Sequence, residues 1–322
     1  MPETTYFEDV LMGLFDPEQP LEPARLAELS DLDRTHASLF KRAWLNCPPA
    51  RRKEIITRLG VLAEDQLEFL FDRVNRLVLD DPEPAVRRQA IANLWEVDDA
   101  RLGNTLVQIA ETDPEDSVRQ QAVSALGRFV YLGELAKIPS PLMRRIESAL
   151  FAILERPNEP AQVQREALQS LGYSSRAEVK PAIEAALASA DAVNRRAGLV
   201  AAGRSADPHW AQPVLDRLAD PEPRLREEAA RAAGELELRK AVPELVDLLE
   251  DIDAAVQQAA IWSLGQVGGR RATNVLNELA ESGTQPQNAD LIEEALEYLA
   301  FLEGTPDLTL MEYDPEDDTD EV

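Results

Sequence analysis

Imidazoles, thiols, paired carboxylates and phosphate-cradling loops carry most protein chemistry, and this sequence is rich only in carboxylates. It has two histidines, His36 and His209, and a single cysteine, Cys47. A His-and-carboxylate metal centre draws on several imidazoles. These two are far apart in the chain and are followed by Ala37 and Trp210, so neither begins a His-Glu pair. Cys47 has no partner for a disulfide or a CxxC site. The motifs GxGxxG, GxxxxGK(S/T) and GxSxG are absent, and SLGQVGGRR at 263–271 reads as a glycine-containing turn after a helix with no strand before it. The 60 Asp and Glu residues are spread too evenly for spacing to single out a catalytic pair. The expectation is a protein without catalytic, cofactor-binding or metal-ligating residues, and not an enzyme.

Charge narrows the partners. The chain has 322 residues and a formal net charge of −27. A surface that acidic repels phosphate backbones and anionic membranes, which disfavours nucleic acid and lipid and favours a basic or amphipathic protein or peptide. No run of about 18 apolar residues is present, and the opening MPETTYFEDVLMGLF lacks the basic region of a secretory signal. A soluble, cytoplasmic protein is expected. Apolar residues make up 44% and aromatics only 5%, a balance that suits helices packed through small residues.

The elements that would position any site are repeated. DPEPAVRRQA at 81–90 returns as DPEPRLREEA at 220–229. Both belong to a pattern in which an apolar residue, a small residue and another apolar or small residue stand four apart: Val86, Ala90, Leu94; Val118, Ala122, Leu126; Val163, Ala167, Leu171; Val193, Ala197, Ala201; Leu225, Ala229, Ala233; and Val256, Ala260, Leu264. Weaker copies begin at Arg51 and Leu291. Glycine directly follows the third member at Gly60, Gly127, Gly172, Gly234 and Gly265. A spacing of four keeps a triplet on one helical face, the central alanine admits a close neighbour, and the glycine relieves crowding or lets the helix bend or end. The central positions, 55, 90, 122, 167, 197, 229, 260 and 295, recur every 30 to 35 residues apart from one interval of 45. That period holds two helices and two turns, the signature of an α-solenoid. The second helix of each pair is seen in AVPELVDLLED at 241–251, where Val242, Leu245, Val246 and Leu249 form one stripe and Glu244, Asp247 and Glu250 stand opposite.

The string D-P-x-x-x-V-R-x-x-A-x-x-x-L-G, followed by R-x-A-V-P-x-L-x-x-L-L-x-D, resembles the HEAT repeat, and within it the phycobilisome-lyase-like group of short bacterial repeats. The best copies are 81–95, 113–127, 220–250 and 251–265, and the resemblance spans about 46–302. It implies an all-α, right-handed α-α superhelix of about eight helical pairs. It also implies a stacked ladder in which an Asp is matched with the Arg six places later: Asp81 with Arg87, Asp113 with Arg119, Asp220 with Arg226. The pattern lapses at Gln164, Asn194 and Gln257. Di-iron hydroxylases of this repeat build carry several His-Glu pairs, which this chain lacks. Bilin lyases form another branch, and no motif here marks bilin binding.

Departures from the repeat are where specific function would sit. Residues 1–45 read as an irregular helical cap, with Phe7, Val10, Leu11 and Leu14 on one side of a short helix, or as a partner-binding segment. Residues 303–322 hold nine acids and no Lys or Arg, and read as a disordered acidic tail. The 45-residue interval predicts a loop around Pro139 and Pro141, then a long helix over about 142–155. The basic run at 40–53 holds Lys41, Arg42, Arg51, Arg52 and Lys53, as a solvated or internally neutralised face or as a binding patch. Among Trp44, Trp95, Trp210 and Trp262, Trp210 lies nearest a repeat turn and is the expected surface anchor. The resemblance implies that second helices line the concave face, where Glu184, Asp216, Glu244, Asp247 and Glu250 would meet a partner. The functional expectation is a non-catalytic scaffold presenting that acidic surface, or an accessory factor of lyase or chaperone type for a cofactor-bearing protein.

Overall fold

The computed structural model describes residues 3–66 and 68–303. The expected acidic tail therefore lies outside the described residues, apart from its first position. Every regular element among the described residues is helical. The chain divides into two compact units, Met1–Leu171 and Gly172–Val322.

The first unit holds α1 (Glu3–Phe15), α2 (Pro23–Ala27), α3 (Arg34–Trp44), α4 (Pro49–Asp65), α5 (Asp72–Leu77), α6 (Pro84–Asn93), α7 (Ala100–Thr112), α8 (Asp116–Glu134), α9 (Ser140–Glu155) and α10 (Ala161–Leu171). The triplet helices α4, α6, α8 and α10 stack on one another as one layer, and α5, α7 and α9 cover them as a second. α1 and α2 extend the first layer against α4, and α3 extends the second against α5. The triplets Val86–Ala90–Leu94, Val118–Ala122–Leu126 and Val163–Ala167–Leu171 are all buried. Burying each Val or Leu contributes about 1.5–3 kcal/mol, and the alanines let neighbouring helices approach.

The second unit repeats the plan with α11 (Val179–Leu187), α12 (Ala192–Arg204), α13 (Ala211–Leu215), α14 (Pro223–Glu235), α15 (Val242–Asp247), α16 (Ala254–Val267), α17 (Gly269–Ser282) and α18 (Ala289–Glu303). Here α12, α14, α16 and α18 form the triplet layer. One triplet shifts by a residue. Val193 is 49% exposed, while Ala197 and Ala201 of the expected triplet are buried together with Gly198 and Ala202. The face therefore runs Asn194, Gly198, Ala202, and Gly203 holds the place that Gly234 holds after Ala233. A valine at 193 draws the pattern off by one because the true first position carries a polar Asn.

The long interval holds the expected long helix, α9, but the connection before it is only the short stretch 135–139. α8 continues through Gly127 to Glu134, and α9 starts at Ser140. Phe129, Val130 and Leu132 are buried and keep the helical period going. α8 ends where Ala136 takes φ 55, with the Lys137 amide donating to the Leu132 carbonyl at 2.8 Å and the Ala136 amide to Gly133 at 2.9 Å. This is the left-handed helix ending that usually takes glycine.

At Gly203 a Cβ would collide with a carboxylate oxygen of Glu235, which folds back from α14 onto α12. Desolvation pushes this carboxyl up to about 7; Glu228 adds to the rise, and Arg204 and Arg231 oppose it. The folded state thus holds a proton that the unfolded chain releases near its ordinary pKa. The contribution is full below about pH 4.5 and is lost as pH rises through about 7. Glu235→Gln is expected to gain stability relative to the parent at pH 8 and not at pH 4. Because Glu235 is itself an exposed residue, solvent screening cuts the gain well below the full shift, to about 1 kcal/mol at most. Denaturant midpoints at the two pH values check it.

Candidate protein-binding surfaces

The conspicuous Asp and Arg residues turn out to serve stacking. Each ladder Arg bonds the main chain of its own repeat and a carboxylate of the next. Arg87 donates to the Asp81 carbonyl at 2.7 Å and makes a two-pronged pair with Asp113 at 2.7 and 2.8 Å. Arg226 does the same with the Asp220 carbonyl at 2.8 Å and with Asp251 at 2.7 and 2.8 Å. The Arg226 guanidinium holds the Asp251 carboxyl below its ordinary range. Arg119 takes the Asp113 carbonyl at 2.9 Å and Glu159 at 2.8 Å, so Glu159 replaces an aspartate after the long interval. Two-pronged, charge-assisted bonds between planar groups fix orientation as well as distance.

The matched Asp and Arg of one repeat therefore meet through a carbonyl, and the carboxylate serves the preceding repeat. Asp81 accepts from Arg52 at 3.2 Å and from the Trp44 indole at 2.6 Å. The ladder Asp also braces its own turn: Asp81, Asp113, Asp220 and Asp251 each accept the amide two residues on, at 2.8 to 3.0 Å. At 257 the lapse is neutral, with Gln257 reaching the Asp251 carbonyl at 2.7 Å. Gln164 reaches the Arg156 carbonyl at 2.8 Å. At 194 the shifted register brings Arg195 onto the Ser189 carbonyl at 3.0 Å, the main-chain half of the ladder contact, while its Nε is buried with no hydrogen-bond partner.

The triplet layer is the closer one in each unit. A Cβ on Gly234 would stand 3.0 Å from the Ser263 Cα, and one on Gly265 would stand 3.2 Å from the Ala295 Cα. Helices of the second layer touch one another less, most clearly in the second unit. The expected acidic contacts lie on the opposite, more widely spaced layer.

Glu184, Asp216, Glu244, Asp247 and Glu250 are all exposed. Two of them are engaged: Glu184 Oε1 stands 3.6 Å from His209 Nε2, and Asp216 accepts from Gln212 at 2.7 Å. Glu244 and Asp247 of α15 and Glu250 in the 3-10 turn just beyond it make no ion pair among the described residues. Trp210 does not join them. It is 2% exposed, because a 3-10 turn at Pro208–Trp210 folds the indole inward beneath His209, with ring centroids 4.7 Å apart. The exposed tryptophan is Trp95, at 57% beside α6, on the lip of a cleft of about 240 Å³ that Leu94, Leu106 and Phe129 also line. Its sequence signal was its place one residue beyond the triplet, where the neighbouring repeats carry glycine.

The basic run divides by burial. Arg51 is buried and donates to the Leu14 and Gln19 carbonyls at 2.7 Å each, tying α4 to the preceding segment. Arg52 is buried against Asp81. Lys41 and Arg42 are exposed on α3. His36 meets Phe7 in a tilted contact with ring centroids 4.5 Å apart in the first unit, and His209 belongs to the second. Cys47 is buried, and burial pushes its thiol up to about 11. Among the described residues no group of three or more His, Cys, Asp and Glu gathers as a metal site, and no helix is long and apolar enough to cross a membrane.

Paired helices stacked through an Asp–Arg ladder define a repeat protein of the α-solenoid class. The family description HEAT repeats matches residues 49–144 and 211–297, more than half of the chain, and the chain belongs to that family. Two curated relatives are the bilin biosynthesis protein PecE of Mastigocladus laminosus, 38% identical over 85 residues, and that of Nostoc sp. (strain PCC 7120), 42% identical over 86. Each match covers 26% of this chain and 31% or 33% of the relative, so the likeness spans about a third of those proteins. Among solved structures, yeast importin-beta (Kap95p) superposes with a TM-score of 0.50 at 14% identity, covering 94% of this chain and 47% of that one, which shows the fold alone.

Proposed function

We propose that this chain is a non-catalytic HEAT-repeat scaffold that binds a protein or peptide. The observation that carries this reading is the division of labour among charges. The ladder residues, from Asp81 and Arg87 to Arg226 and Asp251, are spent on stacking, whereas Glu244, Asp247 and Glu250 are exposed on the second-helix layer. A basic or amphipathic segment suits that edge of the second unit. Association would be electrostatically steered and weakened by salt. The test is binding of a labelled Lys/Leu amphipathic peptide to the purified protein. Affinity is expected to fall with added salt, and to fall about tenfold in Glu244→Gln/Asp247→Asn/Glu250→Gln. Affinity that is constant from low to high salt, or unchanged in the triple variant, counts against this surface.

A second reading, an accessory factor in bilin biosynthesis, is favoured by the 38% and 42% identity to the PecE proteins. Adding the purified protein to a linear tetrapyrrole is then expected to shift and sharpen its visible absorption. An unchanged spectrum at saturating protein argues against it.

A further inference from the structure

The first unit carries a surface whose charge opposes that of the chain. On α3, Arg34, Ser38, Lys41 and Arg42 fall at i, i+4, i+7 and i+8, a single exposed stripe. α3 has three cations and no acid. With Arg73 and Leu77 of α5, this stripe lines a cleft of about 410 Å³. Four cations and no carboxylate line that cleft, in a chain where Asp and Glu outnumber Lys and Arg 60 to 33. Its floor is apolar, formed by Ala37 and the side of Leu77.

The cleft continues in both directions. Arg42 is shared with an apolar cleft of about 640 Å³ between α1 and α3, whose walls include Leu11, Met12 and Phe15. Met12 is 65% exposed there. Lys41, Arg73 and Leu77 are shared with a cleft of about 830 Å³ that reaches Arg101 on α7. The furrow exists because these helices belong to the more widely spaced layer. Two of the cations are tied down: Arg73 donates to the Leu32 carbonyl, and Lys41 stands 3.5 Å from Asp80. Arg34 and Arg42 are exposed with no ion pair among the described residues.

We propose that this furrow is a docking site for an acidic amphipathic segment of a partner protein. Apolar side chains would enter beside Met12 and Phe15 and over Leu77, and carboxylates would meet Arg34, Lys41, Arg42 and Arg73. Charge complementarity argues for the acidic segment. The apolar floor and the Met12 cleft argue for a peptide over nucleic acid; Glu8 and Asp16 in the Met12 cleft and Asp31, Asp72, Asp80 and Asp99 in the α7-side cleft confine the purely cationic stretch to the central cleft, where the segment's carboxylates would lie with its apolar residues to the side. This site is separate from the acidic α15 edge and stands whether or not that edge binds.

The test is fluorescence anisotropy on the full chain with three probes: a labelled Glu/Leu amphipathic peptide, its Gln/Leu counterpart and a single-stranded oligothymidylate. The Glu/Leu peptide is expected to bind about tenfold or more tightly than the Gln/Leu peptide, with affinity falling as salt rises. Arg34→Ala/Arg42→Ala is expected to weaken it about tenfold, and Met12→Ala to weaken it less. Both arginines are exposed and unpaired, so the variant keeps the fold, which thermal unfolding verifies. Arg270→Ala/Arg271→Ala, exposed on α17 in the other unit, is expected to change nothing. Four results would overturn the proposal: no binding of the Glu/Leu peptide, equal binding of the Gln/Leu peptide, tighter binding of the oligonucleotide, or undiminished binding by the Arg34/Arg42 variant.

Discussion

Asp81→Ala is expected to lower the stability of the first unit by about 3–5 kcal/mol, the loss found when one partner of a buried ion pair is removed. Asp81 is 3% exposed and Arg52 4%. One carboxylate oxygen accepts the Trp44 indole at 2.6 Å, and the other accepts the Arg52 guanidinium at 3.2 Å and the Glu83 amide at 2.8 Å. Arg52 Nε also stands 3.0 Å from Asp81, without hydrogen-bond alignment. Alanine would strand a buried cation, an indole N–H and a turn amide together. Asp81→Asn keeps one acceptor oxygen, enough for the Glu83 amide and Arg52 but not also for the Trp44 indole, which would then face an NH2 donor, and so is expected to recover only part of that loss. The Arg224–Glu227 pair, whose arginine is exposed and whose glutamate also stands near Arg231, provides the contrast, since Arg224→Ala should leave the unfolding midpoint nearly in place. Denaturant unfolding followed by circular dichroism reads all three, and an Asp81→Ala protein as stable as the parent would refute the ladder as a stacking element.

Gly234→Val is expected to lower the stability of the second unit by about 3 kcal/mol, the upper range for an overpacked contact. A Cβ there would stand 2.8 Å from the Trp262 ring and 3.0 Å from the Ser263 Cα. The ring can turn, but the main chain of α16 cannot retreat without breaking the bond from the Ser263 hydroxyl to the Ala230 carbonyl at 2.6 Å. Added side chain would wedge α14 and α16 apart, and every later repeat in the unit depends on that contact. Thermal unfolding by circular dichroism measures the loss. An unchanged transition would mean that the small-residue face does not set the spacing of the layer.

The repeat, the buried triplets and the all-helical architecture were legible in the sequence because they rest on local periodicity: a spacing of four writes a helical face, and a period near 32 writes a helical pair. The family follows from the same string. Other features needed the third dimension. The matched Asp81 and Arg87 share a repeat in the sequence, yet the strong bond joins Arg87 to Asp113 of the next repeat, because stacking brings a carboxylate within reach of a side chain already anchored to its own main chain. Arg195 was hidden by an apolar decoy at Val193. The 45-residue interval was absorbed by lengthening α8 and α9, since Phe129, Val130 and Leu132 continue the buried face.

Surfaces were the least legible part. Trp210 and Trp95 look alike in sequence, and a 3-10 turn buries the first while the end of α6 exposes the second. Arg51 and Arg52 stand ten residues from Lys41 and Arg42, yet one pair is sealed under neighbouring helices and the other faces solvent along a furrow. By itself the sequence determined which residues lie on each helix face and that helices pair and stack, because those properties depend on neighbours three or four residues away. Only the tertiary structure decided which layer packs closer, which charges are consumed in stacking and which remain for a partner, because those depend on contacts between residues about 30 positions apart.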